Sequence, residues 1–181
     1  MNWLESARLG MFVRWGHISM REWELSLSSG LPGDRDVAIA NYHPSDDHFD
    51  PIAYNPRQWA SLAQSLGAEY VILTVKHHDG FALFPTQTDD FYFDGDGSDL
   101  VQQFVEAMRE ADLKVGFYFS LVNWHHPAFA EEDRFDGFER FSQSTLRQWS
   151  NCCDVMFEQI RELLTNYGQI DIIWFDALVT S

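Results

Sequence analysis

Tyr70-Val71-Ile72-Leu73-Thr74-Val75-Lys76-His77-His78-Asp79-Gly80-Phe81 begins as a short apolar run and ends in reactive side chains. The β-branched residues Val71, Ile72, Thr74 and Val75 and the brevity of the run favour a strand over a helix. The run does not alternate apolar with polar, so both faces of the strand are covered, as in a parallel sheet. Ligands of such sheets bind beyond the carboxyl ends of the strands. That places residues 76–81 where chemistry is expected.

Outward from this strand, helices and strands alternate. Upstream, Asn55-Pro56 reads as a capping residue followed by proline in the first helical turn. Trp59, Leu62, Ala63 and Leu66 form an apolar stripe that Gly67 ends. Further upstream, residues 10–16 (Gly-Met-Phe-Val-Arg-Trp-Gly) read as a first strand, and a polar segment over about residues 17–54 separates the two. Loops of that length are commonly functional or partly structured. Downstream, Ser98 caps a helix with Leu100, Val101, Phe104, Val105 and Met108 on one face, and residues 115–121 form a third strand. Leu146, Trp149, Cys153, Met156, Phe157, Ile160 and Leu164 mark a long helix closed by Gly168, and residues 170–176 form a fourth strand. This order implies an α/β fold with a parallel sheet and right-handed crossovers. A barrel is the first layout to test, and a doubly wound sheet is its competitor. No Gly-x-Gly-x-x-Gly follows any strand, so the dinucleotide-binding version of the competitor lacks its signature.

The 181 residues amount to one domain, residues 1–181, yet a complete eight-stranded α/β barrel takes about 200–250. The 12 basic and 28 acidic residues leave a net charge of −16 and a pI near 4.5. That balance argues against nucleic acid and anionic membranes as partners and suits neutral or cationic small ligands. Cys152 and Cys153 lie in an apolar-periodic stretch and read as buried thiols rather than a disulfide framework or metal site. No basic-then-apolar leader opens the sequence and no apolar run approaches 18 residues, so a cytoplasmic location is the default expectation.

Each strand ends in a cluster of candidate functional residues: Arg14-Trp15-Gly16, then 76–81, then Ser120 to Pro127, then Trp174-Phe175-Asp176. Alternation puts Ile170, Ile172, Trp174 and Asp176 on one face of the fourth strand. Asp176 beside an aromatic at a strand end reads equally well as a site residue or as the cap of a following turn. His77 and His78 are adjacent, so both reach one site only where the strand has already ended. They suit a metal or, with neutral imidazoles, hydroxyl groups of a sugar, whose C–H faces pack on tryptophan; the aromatic content, 15 Phe and 7 Trp, favours the sugar. Glu22-Trp23 in the long polar segment is a weaker candidate, and Glu131-Glu132-Asp133 reads as a solvated face.

Taken together, these motifs resemble the retaining α-L-fucosidase family of glycoside hydrolases. The resemblance rests on residues 10–16, Glu22-Trp23, Phe49-Asp50-Pro51 with Trp59-Ala60, Ala68-Glu69-Tyr70, residues 76–81, residues 116–121 and Trp174-Phe175-Asp176. It implies a (β/α)8-like TIM barrel that hydrolyses α-linked L-fucose from glycosides with retention, without a metal or other cofactor. By the same resemblance Asp176 matches the nucleophile, and His77, His78, Trp174, Glu22 and Trp23 match positions that shape the fucose pocket, with Tyr118 nearby. Trp174 and Phe81 are expected to wall the methyl group of the sugar. Arg14 stands where the family usually has histidine, which implies a different contact to the sugar at that point. No residue of the chain matches the family's acid/base; Glu22 is the in-chain candidate for the second carboxyl group. Four strands make half a barrel, with open edges and an apolar inner face. The expectation is therefore a half or truncated barrel completed by self-association into a homo-oligomer, most simply a twofold dimer. The rival expectations are a non-catalytic fucose-binding half barrel, a fragment that works with a second chain, and a metal-dependent hydrolase using His77, His78 and Asp176.

Overall fold

The computed structural model describes residues 3–16, 19, 49, 51–88, 91–123, 125–129 and 143–176. A short helix, α1 (Trp3–Ser6), leads into β1 (Gly10–Val13), then α2 (Pro56–Leu66), β2 (Tyr70–Lys76), α3 (Leu100–Glu110), β3 (Lys114–Ser120), α4 (Gln143–Asn166) and β4 (Ile172–Asp176). The strands form one sheet in the order β1-β2-β3-β4, with every pairing parallel. A doubly wound sheet reverses its strand order at a switch point; this sheet steps steadily from one edge to the other, as a barrel segment does. Among the described residues no helix is long and apolar enough to cross a membrane.

Local sequence explains where the elements begin. The side chain of Asn55 accepts from the Gln58 amide and Pro56 occupies the first helical turn of α2. In α3 the capping residue is Asp99, which accepts from the Gln102 amide, and not Ser98, which follows a 3-10 turn over Gly95–Gly97. A carboxylate one residue later takes the exposed helix donors that a serine would have taken.

The core lies between the sheet and its helices. Val71, Leu73, Val75, Val115, Phe117 and Phe119 meet Ala60, Ala63, Val101, Phe104, Val105, Met108 and Leu163. The register Phe12↔Ile72↔Gly116↔Ile172 defines the opposite face, where a Cβ on Gly116 would come within 2.7 Å of Ile72 Cγ1. Glycine there lets neighbouring side chains close over the centre of that face.

The two outer helices depart from the expected stripes. In α2, Ala60 and Ala63 are buried, but Leu62 and Leu66 are exposed, at 51% and 58%. In α4, Cys152, Met156, Gln159 and Leu163 are buried, whereas Leu146, Cys153, Phe157 and Leu164 face outward. The expected burial of both thiols is thus corrected: Cys152 is buried, Cys153 is exposed, and neither forms a disulfide. A helix with apolar residues on two sides offers two possible faces, and the sheet covers one of them.

Candidate active site

Six of the expected residues, Arg14, His77, His78, Tyr118, Trp174 and Asp176, converge at the carboxyl ends of the strands. β2 ends at Lys76, so His77 and His78 leave the strand's alternation and their rings approach to 4.3 Å. β3 sends Tyr118 and β4 sends Trp174 and Asp176 to the face opposite the core, in the aligned pairs Tyr118↔Trp174 and Ser120↔Asp176. Arg14, just beyond β1, lies 3.1 Å from His77 through its Nη2. Gly80 has φ +87°, a conformation that side chains resist, and a Cβ there would collide with Asn123. This turn seats the two histidines against β3.

The chemistry of the donors fixes much of the hydrogen bonding. Arg14 only donates, so His77 Nε2 accepts from it. Tyr118 stacks on the His77 ring at 5.3 Å and donates its hydroxyl proton to Asp176. His78 Nδ1 lies 2.6 Å from Ser120 Oγ, and its Nε2 lies 3.9 Å from Asp176. Ser120 Oγ gives its one proton to the Val122 carbonyl at 3.0 Å, so His78 Nδ1–H donates to Ser120.

Burial sets the charges. It is the main force pushing the His77 pKa down to about 3, and His78 and Arg14 add to it. Burial also lowers His78, against the opposing pull of Asp176. Both imidazoles are therefore neutral at pH 7, and His78 with Asp176 is a polar contact rather than an ion pair. Burial and the bond to Asp176 raise the Tyr118 hydroxyl, which stays a proton donor. The result is a half-open carboxylate ringed by a phenol, two neutral imidazoles and one guanidinium.

Aromatic walls complete the site, but not all of those expected. Trp174 is 53% exposed and meets Phe12 edge-on at 6.0 Å, and Phe12 meets Tyr118 at 5.6 Å. Phe81 belongs instead to the core, packed against Phe49 and Phe91, which corrects the expectation that it lines the sugar pocket. Ser120 was read only as one of a strand-end cluster, and Phe12 only as part of the first strand. The signal for both was the parallel register, which aligns Phe12 with the face of Tyr118 and Ser120 with Asp176. Glu22 and Trp23 lie outside the described residues. His77, His78 and Asp176 also offer ligand atoms within 4.8 Å of one another. Arg14, however, holds the lone pair of His77 Nε2 and adds positive charge beside the group, so the arrangement suits hydroxyl recognition better than a cation.

The comparison with known proteins agrees with this geometry. The family model described as Alpha-L-fucosidase matches residues 1–181. The chain belongs to the alpha-L-fucosidase family. Human plasma alpha-L-fucosidase is 29% identical over 97% of the chain, and the bovine tissue alpha-L-fucosidase is 31% identical over 97%. Among solved structures, the alpha-L-fucosidase isoenzyme 1 of Paenibacillus thiaminolyticus superposes with a TM-score of 0.75 at 32% identity, covering 98% of this chain. An alpha-L-fucosidase of Lactobacillus casei, solved with its alpha-L-fucose product, gives a TM-score of 0.72 at 25% identity over 98%. The chain spans 39% of the human protein, 38% of the bovine one, 42% of the Paenibacillus chain and 62% of the Lactobacillus chain.

Proposed function

We propose that this chain carries the fucose-binding and nucleophilic half of a retaining α-L-fucosidase active site, acting on glycosides or glycans with α-linked L-fucose. The observation that supports this most is the placement of Asp176 at the end of β4, half-exposed, beside Tyr118 and His78. Retention requires one carboxylate to attack the anomeric carbon while a second carboxyl group, about 5–5.5 Å away, protonates the leaving oxygen. In this reading an Asp176 oxygen forms the bond to the anomeric carbon as the glycosidic C–O bond breaks. Water then attacks the same carbon, gives its proton to the second carboxyl group, and frees Asp176 as the carboxylate. Neutral His78, with Arg14 and Tyr118, supplies donors and acceptors for the sugar hydroxyls, and His77 holds the Arg14 guanidinium at the site. Trp174 offers its exposed ring to a C–H face of the sugar, a contact between apolar surfaces that water does not match. Glu22 is the proposed second carboxyl group, and Trp23 a further pocket residue.

The proposal extends to assembly. The apolar edges of the sheet and of α2 and α4 are covered, in this reading, by a second copy that completes an eight-stranded barrel. Fucose binding without turnover is the second reading, favoured by the 39% of the human relative that the chain spans. Purified chain with an aryl α-L-fucoside separates the readings. Turnover that Asp176→Ala reduces by at least about a thousandfold, and that azide restores by replacing the carboxylate, supports catalysis. Unchanged turnover in Asp176→Ala overturns the assignment, and calorimetric fucose binding without turnover supports the second reading.

A further inference from the structure

His77 carries a second polar atom that the site does not use. Its Nδ1 is buried and has no hydrogen-bond partner, and the same is true of Thr74 Oγ1 on β2. The two residues are 3% and 2% exposed. Both line one cavity of about 10 Å³, together with Lys76 and Asp79 and the apolar rings of Trp15 and Phe81. That is about the room one water requires, and a buried water needs two to four polar partners.

The tautomer of His77 makes the vacancy chemically specific. Because Arg14 only donates, His77 Nε2 must keep its lone pair, and the neutral ring then carries its proton on Nδ1. A buried N–H without an acceptor is costly, and native interiors rarely leave one. Thr74 Oγ1, buried and without a partner in the same lining, faces the same requirement.

We propose that a single buried water fills this cavity, accepts the Nδ1–H of His77 and hydrogen-bonds Thr74 Oγ1, making Thr74 a positioning residue for the His77 imidazole. Thr74 acts through the water: it holds the Nδ1–H tautomer, which keeps the Nε2 lone pair turned toward Arg14 and the pocket. Only the statement that this imidazole, through Arg14, serves a sugar rests on the function proposed above; the water and the tautomer do not.

The experiment is NMR of the full chain with 15N-labelled histidine, without fucoside, in the wild type, Thr74→Ser and Thr74→Val. The expected wild-type spectrum has a protonated Nδ1 and an unprotonated Nε2 on His77, with a cross-peak between the Nδ1 proton and a long-lived water. Thr74→Ser keeps both features, and Thr74→Val loses the water cross-peak. A proton on Nε2, a wild type without the cross-peak, or a Thr74→Val protein that retains it would each overturn the proposal. If Thr74→Val does not fold, the wild type and Thr74→Ser decide the question. Because no fucoside is present, absence of turnover in the chain leaves this result standing, and loss of the water leaves the fucosidase reading untouched.

Discussion

The charge state of His77 links the site to stability. The ordinary histidine pKa near 6.5 applies to the unfolded chain, whereas burial in the folded chain pushes His77 down to about 3. Between those values the unfolded state binds more protons than the folded one, so stability falls as the pH drops from 6.5 toward 3 and is fully present above 6.5. From pH 7 to pH 4.5 this single group is expected to cost roughly 2–3 kcal/mol. Urea unfolding at the two pH values measures it. His77→Gln should flatten the pH dependence by about that amount relative to the wild type, and an unaltered dependence would contradict the assignment. The same burial keeps His77 neutral at pH 7. The residue types of this site were all visible in the sequence. Their proton positions were not, because those depend on which atoms of Arg14, Tyr118 and Ser120 arrive from other strands.

Among the helices, the caps show how one side chain can serve two levels of structure. The Asn55 side chain accepts from the Gln58 amide at the start of α2. Asp99 accepts from the Gln102 amide at the start of α3 and also from the buried hydroxyl of Tyr167, which follows α4. Loss of a cap costs about 1 kcal/mol, and an orphaned buried hydroxyl adds about 1–3 kcal/mol. Asn55→Ala is therefore expected to destabilise by about 1 kcal/mol and Asp99→Ala by about 2–4 kcal/mol in urea unfolding. Equal effects would show that the Tyr167 contact contributes nothing. The Asn55-Pro56 signal was legible because its partners lie within one helical turn. The shift of the second cap from Ser98 to Asp99 was not, since either residue can cap and Tyr167, 68 residues away, accompanies Asp99.

At the scale of the whole molecule, exposure has a pattern. Among the described residues, the exposed Phe12, Leu62, Leu66, Leu146, Phe157, Leu164, Trp174 and Phe175 belong to β1, α2, α4 or β4, and the other large exposed apolar residues, Leu4, Leu9 and Ile52, lie in α1 or in the segments before β1 and α2. The intervening β2, α3 and β3 carry none among the large exposed apolar residues, and α3 turns Gln103, Glu106, Arg109 and Glu110 outward. A solvated surface does not concentrate its apolar groups at both open edges of a sheet. In a twofold assembly β4 of one copy would pair with β1 of the other, and the outward stripe of α4 would meet that of α2. Light scattering at micromolar concentration should give twice the 21.0 kDa of the chain. Leu66→Asp and Phe157→Asp, which leave the core untouched, should each return the particle to a monomer. A stable wild-type monomer would refute the closure by a second copy.

By itself the sequence determined the parallel α/β order, the clustering of polar and aromatic candidates at the strand ends and the family, because these depend on periodicity, local caps and runs of neighbouring residues. From the sequence, His77 and His78 could meet only where the strand had already ended, and the structure ends β2 at Lys76 and brings their rings to 4.3 Å. Only the tertiary structure decided which side of α2 and α4 is buried, that Phe81 belongs to the core while Phe12 joins the pocket face, and that His77 is held between Arg14 and a cavity beside Thr74. Those outcomes depend on register across strands separated by 40 or more residues. An apolar stripe or a histidine ring can satisfy its own segment in more than one way, and packing against a distant segment selects one of them.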